Sequence, residues 1–345
     1  MQFANEKVVL KQAPVGFPTR DDFAIVRETL GQPADGEILI EIEHLGIDAF
    51  ITTTLNHDGH HGRSEVNSPV VALGTGRVIE SRSEAFAPGD RVFGGMGAQR
   101  YIITPVEGYR KLDDSKVPAH TYLGLLGITT GLTAYAGMIL VGKVKEGDTV
   151  AVSAAAGAVG SIACQLAKLK GARVIGIAGG PQKCAFLEEL NCDATIDYKG
   201  SNVAEQLGLL APDGLNLFFD NVGGNILDAA LDNLAMGARV VICGAISQYA
   251  DMAAVQGPAL YLRLAERNAS MHGFTVDHYK EQFPEVEANL VQWASEGKIH
   301  MTEHIESGLE RFPDALSMLY HGGHRGKLLV QPRSYSCLLP AGPHR

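Results

Sequence analysis

The stretch Thr149 to Gly160, which reads TVAVSAAAGAVG, decides the fold of this chain. Residues Thr149 to Ser153 are uncharged and predict a strand that is buried on both faces. The run Ala154 to Gly160 has the form A-x-x-G-x-x-G, and a helix is predicted from about Ala158. Small residues let such a turn approach a pyrophosphate, and the helix start offers free N–H groups and a positive dipole end. The stretch therefore predicts a dinucleotide-binding turn; the alternative is a turn that only packs tightly.

The residues that follow repeat this pattern of strand, glycine turn and helix. Pro181 can occupy the first position of the next helix. Further strands are predicted at 173–178, 194–198, 215–220 and 239–243. Strands that alternate with helices indicate a parallel sheet with helices on both faces, the doubly wound α/β class.

The two ends of the chain have a different pattern. Up to about Pro118, short apolar runs are separated by turn signals, and Glu37 to Glu43 alternates apolar and acidic residues as a half-buried strand does. This part is predicted to be mostly β. The chain closes with a predicted strand from Lys327 to Val330, followed by a tail to Arg345 that is expected to fray. The uncharged segment from Thr121 to Gly142 is rich in glycine, so we interpret it as a buried helix entering a second domain rather than a membrane span.

The composition excludes several classes of protein. A chain of 345 residues predicts about two domains, and 46% hydrophobic with 20% charged residues is too apolar for disorder. With 29 basic and 39 acidic side chains the net charge is −10, so no nucleic-acid or membrane partner is expected. The five cysteines are scattered and no secretory signal is recognised, which favours a reducing cytoplasm.

The end of the second predicted strand indicates which dinucleotide is bound. Proteins that favour NAD usually place an acid about 20 residues beyond the first glycine turn, where it bonds the ribose 2′-hydroxyl. Here the strand ends in Ala178-Gly179-Gly180, and Lys183 follows at the start of a helix. Lys183 and Tyr198 could contact a 2′-phosphate; the alternatives are a solvated lysine and a strand-end aromatic residue. The missing acid together with these two residues favours NADP(H).

Five runs of sequence resemble the zinc-independent medium-chain reductases, in the group of leukotriene/prostaglandin reductases, plant double-bond reductases and bacterial curcumin reductases. These runs are Gly131–Tyr135, Ala154–Gly160, Gln165–Gly171, Phe219–Gly224 and Cys243–Tyr249. The resemblance extends from Lys7 to Val330. It implies a mostly β GroES-like catalytic domain (1–125 and 301–332), a Rossmann NADP-binding domain (126–300), a C-terminal tail (333–345), an active site in the cleft between the domains, and a homodimer.

The resemblance also implies the cofactor contacts, including a strand from Phe274 to Val276. They are Gly157, Ala158, Val159, Gly160, Lys183, Tyr198, Asn221, Cys243, Gly244, Ala245, Ile246, Ser247, Tyr249, Phe274, Thr275 and Val276. Family members commonly have asparagine in a closing Gly-x-Asn-x-Gly-Lys run, where this chain has Gly323-His324-Arg325-Gly326-Lys327. That contact would come from His324 or be lost.

No metal site is predicted. Zinc-dependent relatives need a cysteine and a Gly-His-Glu in stretches that here read Leu45 to Asp48 and Val71 to Gly76, without a ligand. The histidines His57, His60 and His61 are interpreted as a solvated loop near the substrate mouth, because a catalytic zinc needs fixed and oriented ligands.

This chain differs from the family pattern at two further positions near the expected substrate cleft. Family members often carry tyrosines at the positions held here by Phe50 and Glu266. These changes suggest an unusual substrate.

The leading functional hypothesis is NADPH-dependent reduction of a carbon–carbon double bond conjugated to a carbonyl, with a small α,β-unsaturated carbonyl compound as substrate. The protein must orient the reactants and place hydrogen-bond donors where negative charge forms on the carbonyl oxygen. Tyr249 is the first candidate for that donor and Tyr261 the second; the alternatives are a residue that shapes the nicotinamide pocket and a packing aromatic. Quinone reduction and a non-catalytic NADP-binding protein are the alternative functions.

Overall fold

The structure, a computed structural model, describes residues 2–55 and 61–332. Its first part is mostly β, as predicted. It contains strands β1 (Phe3–Leu10), β2 (Phe23–Leu30), β3 (Glu37–Ile47), β4 (Leu73–Ser81), β5 (Arg91–Gly95), β6 (Tyr101–Pro105) and β7 (Arg110–Lys111), with a short helix α1 (Phe50–Thr53) after β3. Strands β1 and β2 pair with each other in a separate antiparallel ribbon.

The segment from Thr121 to Gly142 is only partly helical, so the prediction of one buried helix was wrong for its first half. Helix α2 (Gly131–Tyr135) continues directly as a π-helix over Ala136–Val141, while the residues before it form short turns. A Cβ atom on Gly131 would lie 1.7 Å from the carbonyl oxygen of Leu125, so the chain folds back on itself at this point. Within the described residues, no helix has the length and apolar character needed to cross a bilayer.

The second part alternates strands and helices. Its elements are β8 (Thr149–Val152), α3 (Ala158–Leu169), β9 (Arg173–Ala178), α4 (Pro181–Glu189), β10 (Ala194–Asp197), α5 (Val203–Leu210), β11 (Leu215–Asp220), α6 (Gly224–Asp232), β12 (Leu234–Ile242), α7 (Arg263–Glu266), β13 (Ser270–Gly273) and α8 (Phe283–Ser295). The six strands are parallel in the order β10-β9-β8-β11-β12-β13. The direction of winding reverses between β8 and β11, and ligands of such sheets bind in the crevice beyond the carboxyl ends of the strands at this point.

The chain then returns to the first part. Strands β14 (Glu303–Ser307) and β15 (Lys327–Gln331), with helix α9 (Phe312–His321) between them, complete a seven-stranded sheet. Strand β15 pairs antiparallel with β3, so both ends of the chain build this mostly β domain. The predicted fold class, a Rossmann domain with a mostly β catalytic domain, is confirmed.

Successive residues along a strand of the parallel sheet pack into different hydrophobic cores. Phe218 of β11 packs into the core on one face of the sheet, while Leu217 and Phe219 pack into the core on the other. This explains why the strand residues are apolar without alternation.

Several predicted strands have different bounds in the structure. Strand β10 ends at Asp197 rather than Tyr198, and β12 ends at Ile242 rather than Cys243. Phe274 to Val276, predicted as a strand, follows β13 instead. Strand β13 pairs with β12 only as far as Gly273, opposite Ile242, and the backbone beyond it turns into a 3-10 helix that begins at Val276.

Candidate active site

The predicted dinucleotide turn lies at the carboxyl end of β8. Ala154 has a φ of 46°, and the N–H of Gly157 donates to the carbonyl oxygen of Ala154 at 2.9 Å. A Cβ atom on Gly160 would lie 2.3 Å from that same oxygen, so only glycine lets α3 pack directly on the turn. The first N–H groups of α3, at Ala158 and Val159, have no intrahelical acceptor. They are therefore available to an anion in the crevice.

The closing loop of the chain lies against this turn. The N–H of Gly326 donates to the carbonyl oxygen of Ala156 at 2.9 Å, and Gly326 forms a β-bridge with Gly157. A Cβ on Gly326 would lie 1.9 Å from the carbonyl oxygen of Thr302, so this close approach needs glycine. The mostly β domain thus contacts the dinucleotide turn directly.

His324 is buried next to this contact, with 8% of its surface exposed. Burial lowers the pKa of His324 to about 4, and the charge on Lys183 contributes to the decrease. Within the described residues, its Nδ1 has no hydrogen-bond partner. At neutral pH the imidazole is uncharged, so its free nitrogen can replace a neutral amide as a hydrogen-bonding group. The predicted cofactor contact of His324 stays a prediction.

Basic groups collect beyond the ends of β9 and β10. Lys183 of α4 is half-buried, and among the described residues no acidic side chain pairs with its ammonium group. Burial lowers the pKa of Lys183, and the nearby charge of Lys199 lowers it further. A bound phosphate group would relieve the repulsion between the Lys183 and Lys199 cations.

The packing at Gly179 leaves no room for the side chain of an aspartate or glutamate just after β9. A Cβ atom at this position would lie 2.8 Å from both the Cζ and the hydroxyl oxygen of Tyr198. Asp197, the last residue of β10, accepts hydrogen bonds from the N–H groups of Gly180 at 2.7 Å and Lys199 at 2.9 Å. These bonds lower the pKa of Asp197 and hold its carboxylate on the backbone. The site therefore favours a 2′-phosphate over a 2′-hydroxyl.

The loops after β11 and β12 are bonded to each other. The side chain of Asn221 donates from Nδ2 to the backbone carbonyl oxygen of Ser153 at 2.7 Å. The backbone carbonyl oxygen of Asn221 accepts a hydrogen bond from the N–H of Ile246 at 3.1 Å. Ser247 Oγ donates to the carbonyl oxygen of Val222 at 2.6 Å. The predicted residues Asn221 and Cys243 to Tyr249 thus lie together at the carboxyl edge of the sheet.

Cys243 is not a nucleophile at this edge. Burial raises the pKa of its thiol to about 12, and the charge on Asp220 also raises it. The thiol is therefore protonated at neutral pH, and the thiolate is the reactive form.

Tyr249 has a phenolic proton that it can donate to a ligand. Its hydroxyl oxygen accepts the N–H of Ala245 at 3.2 Å, which leaves its own O–H free of that bond. Burial raises the pKa of Tyr249, so the phenol stays neutral at physiological pH. A Cβ atom on Gly244 would lie 2.9 Å from this hydroxyl, so the loop holds the ring closely.

The remaining predicted site residues lie farther along the same edge. Tyr261 lies in the turn before α7 and is 57% exposed, and its catalytic role stays a prediction. Phe274 packs against the π-helix, where a Cβ on Gly137 would lie 2.7 Å from its Cζ. Thr275 and Val276 follow Phe274 and are half-buried.

Asp48 lies in the stretch where zinc-dependent relatives have a cysteine, and it forms a buried ion pair. Its Oδ1 lies 2.5 Å from Nζ of Lys327, a side chain with 0% exposure. Sequence reasoning missed this pair, although a lysine at the start of the apolar strand Lys327–Val330 was a signal for it.

Of the three histidines considered as metal ligands, His57 and His60 lie outside the described residues. Among residues 2–55 and 61–332, no three His, Cys, Asp or Glu side chains form a group that could hold a metal ion.

Tyr320 is a second phenol that sequence reasoning did not identify. Its hydroxyl donates to Thr52 Oγ1 at 2.7 Å. Burial raises the pKa of Tyr320, and the negative charge of an ionised Tyr249 would raise it further. No local pattern identifies Tyr320, because it lies on an ordinary amphipathic helix.

Comparisons with known proteins agree with this geometry. The family model described as "Zinc-binding dehydrogenase" matches residues 158–293, and "N-terminal domain of oxidoreductase" matches residues 6–112. The chain is 33% identical to the NADPH-dependent curcumin reductase of Escherichia coli (strain K12), over 95% of this chain and 96% of that protein. It is 34% identical to the NADP(+)-dependent 2-alkenal reductase of Nicotiana tabacum, over 95% of this chain and 98% of the relative.

A solved structure shows the same likeness. The crystal structure of CurA from Vibrio vulnificus in complex with NADPH superposes with a TM-score of 0.90 at 36% identity, covering 95% of this chain and 99% of that one. The residues described above fit such a cofactor, since glycine is required at the turn and the Lys183 and Lys199 cations lie near each other beyond β9 and β10, where a 2′-phosphate would lie. The chain belongs to the zinc-independent medium-chain dehydrogenase/reductases, in their reductase group, and is an NADP-dependent oxidoreductase.

Proposed function

We propose that the protein reduces the carbon–carbon double bond of α,β-unsaturated aldehydes and ketones. The observation that carries this proposal is the neutral phenol of Tyr249, held by the N–H of Ala245 beside the dinucleotide crevice with its own proton free to donate. Hydride addition to such a substrate builds negative charge on the carbonyl oxygen, and a fixed donor stabilises that charge. The likeness to a 2-alkenal reductase supports the same reaction.

In this reaction the chain would bind the cofactor and the substrate, orient them, and donate a hydrogen bond to the substrate. When bound, NADPH would supply the hydride that adds to the β carbon, and a proton would then reach the α carbon to complete the reduction. The turn around Gly157 and the start of α3 would hold the pyrophosphate, and Lys183 with Tyr198 would hold the 2′-phosphate. Tyr249 would donate its proton in a hydrogen bond to the carbonyl oxygen of the substrate. Holding both reactants in the cleft makes the transfer effectively unimolecular.

A panel of acceptors tests the proposal. We expect NADPH consumption with alkenals and with aryl enones, at rates well above those with simple quinones of similar size. Faster turnover of quinones would instead support a quinone oxidoreductase. Tight NADPH binding without turnover of any acceptor in the panel would indicate a non-catalytic NADP-binding protein.

Replacing Tyr249 by phenylalanine tests the donor. We expect kcat on the best enone to fall by about 100-fold, the lower range for loss of one donor to a developing oxyanion, because a ribose hydroxyl of the cofactor could share the role. The KM for NADPH should change by less than about twofold, since the ring stays in place. Tyr261→Phe, assayed in parallel, decides between the two candidates: loss of turnover there and none in Tyr249→Phe would assign the role to Tyr261.

Further features of the organisation are proposed rather than shown. We propose a homodimer joined along β13, because this strand is the last of the parallel sheet and its Met271 is exposed. The domain boundaries after residues 125, 300 and 332 and a cytoplasmic location likewise stay predictions, and the tail 333–345 lies outside the described residues.

A further inference from the structure

The side chain of Gln165 binds the backbone of a residue far away in the sequence. Gln165 lies on α3 and is buried, with 5% of its surface exposed. Its Oε1 accepts the N–H of His300 at 2.8 Å, and its Nε2 donates to the carbonyl oxygen of His300 at 2.9 Å. Nε2 also donates to the carbonyl oxygen of Ser161 at 2.9 Å. Because a side-chain amide has two N–H donors, both donors of Gln165 are used and its orientation is fixed.

His300 belongs to the segment that returns the chain to the mostly β domain. We call residues 299–302, between α8 and β14, the return segment. Ile299 packs into a core of the Rossmann domain, and β14 begins directly after Thr302. Within the described residues, no group other than Gln165 bonds to the backbone of His300. Gln165 therefore ties the return segment to the helix that begins at the dinucleotide turn.

The return segment in turn holds the closing loop, residues 322–326 between α9 and β15. The carbonyl oxygen of Thr302 accepts the N–H of Lys327 at 2.8 Å. Gly326 packs against that same oxygen, which leaves no space for a Cβ atom. The N–H of Gly326 donates to the carbonyl oxygen of Ala156 in the dinucleotide turn at 2.9 Å. Together with the contact of Gln165, these contacts close a ring that begins and ends at the dinucleotide turn.

The position of the closing loop depends on the other contacts of this ring. One hydrogen bond between neutral groups contributes little in water, so the bond from Gly326 to Ala156 does not fix the loop by itself. Gln165 satisfies both backbone groups of His300 at a buried position, where an unpaired N–H or carbonyl group is costly. Without the amide of Gln165, the return segment would move to hydrate these groups, and the closing loop would move with it.

We propose that Gln165 is a positioning residue for the cofactor, because it holds the return segment where the closing loop can lie on the dinucleotide turn. Gln165 lies about two helical turns beyond the start of α3 and acts through His300 rather than on the cofactor itself. The dinucleotide turn would hold the pyrophosphate, which NADPH and NADH share. Loss of Gln165 should therefore weaken the binding of both cofactors by the same factor, whereas loss of Lys183 should weaken NADPH binding alone.

Titration calorimetry on Gln165→Leu tests the proposal. We expect the Kd values for NADPH and for NADH each to rise by about tenfold. Asn233→Leu is the matched control, because this amide donates to the carbonyl oxygens of Ala204 at 3.1 Å and Ala229 at 2.9 Å but precedes β12, at the opposite edge of the sheet. Its loss should change both Kd values by less than about twofold. Equal weakening in the two variants, or none in Gln165→Leu, would show that Gln165 has no positioning role.

Gln165→Glu keeps the test decisive if Gln165→Leu does not fold. The introduced carboxylate can accept the N–H of His300, but it has no proton for the carbonyl oxygens of His300 and Ser161. Burial beside these oxygens should raise the pKa of the introduced carboxyl. The Kd for NADPH, relative to the wild type at the same pH, should therefore be about tenfold higher at about pH 8 and return toward the wild-type value at about pH 5.5, where the carboxyl is protonated and donates again. A ratio that does not change with pH would overturn the proposal.

Amide hydrogen exchange in the cofactor-free protein reports on the closing loop directly. In both Gln165 variants, peptides that contain Gly326 and Lys327 should exchange at least about fivefold faster than in the wild type. In Asn233→Leu these peptides should exchange as in the wild type. Unchanged exchange in both Gln165 variants would contradict the proposal. None of these measurements requires turnover, so their outcome is independent of the proposed reaction.

Discussion

We expect Lys183→Ala to weaken NADPH binding by about 10- to 100-fold while NADH binding changes by less than about twofold. A hydrogen bond to a charged group contributes about 1.5–3 kcal/mol, and only NADPH carries the 2′-phosphate that Lys183 would meet. Burial and Lys199 lower the pKa of Lys183 in the free protein, so a phosphate dianion would also restore its preference for the charged form. Titration calorimetry with both cofactors measures the two affinities.

Lys199→Ala is the matched control for this prediction. Lys199 is a neighbouring cation that is exposed to solvent, so screening should limit its effect on NADPH binding to about threefold. Equal losses for NADPH and NADH in Lys183→Ala would show that the lysine does not face the 2′-phosphate. A wild-type protein that binds NADH more tightly than NADPH would contradict the assignment of the whole phosphate site.

The second large effect concerns the buried ion pair. We expect Lys327→Met to lower the free energy of unfolding by about 3–5 kcal/mol, because it leaves the carboxylate of Asp48 buried without its cation. One oxygen of that carboxylate, Oδ2, already has no partner among the described residues, so no second donor is available to replace the lysine. Denaturant unfolding followed by circular dichroism measures the loss.

A double variant separates the loss of stability caused by an unpaired buried charge from the loss caused by altered packing. Asp48→Leu combined with Lys327→Met removes both charges and keeps apolar volume, so most of the lost stability should return. If Lys327→Met costs less than about 1 kcal/mol, or if the double variant is less stable than the single one, the ion pair does not have the role assigned to it. Since Gly326 contacts the dinucleotide turn, NADPH affinity should decrease with stability in the single variant.

Local sequence patterns correctly predicted the elements whose contacts join residues that are close in the sequence. Strand β8, the turn to Gly160 and helix α3 form one continuous unit, and Pro181 begins α4 as predicted. The same patterns failed where sheet pairing decides the outcome. Phe274 to Val276 leave the sheet because β13 pairs with its neighbour only as far as Gly273. The glycines before α2 permit a tight reversal, which hydropathy cannot distinguish from a helix.

The sequence by itself determined the class of fold, the dinucleotide turn and the preference for NADP(H), because strand periodicity, glycine spacing and a missing acid are expressed within a few tens of residues. The tertiary structure alone decided which distant groups share the cleft. Lys327 meets Asp48 across 279 positions, and Gly326 lies on the turn at Gly157. Such contacts depend on how two sheets built from separate parts of the chain pack together, and no local pattern of residues encodes that packing.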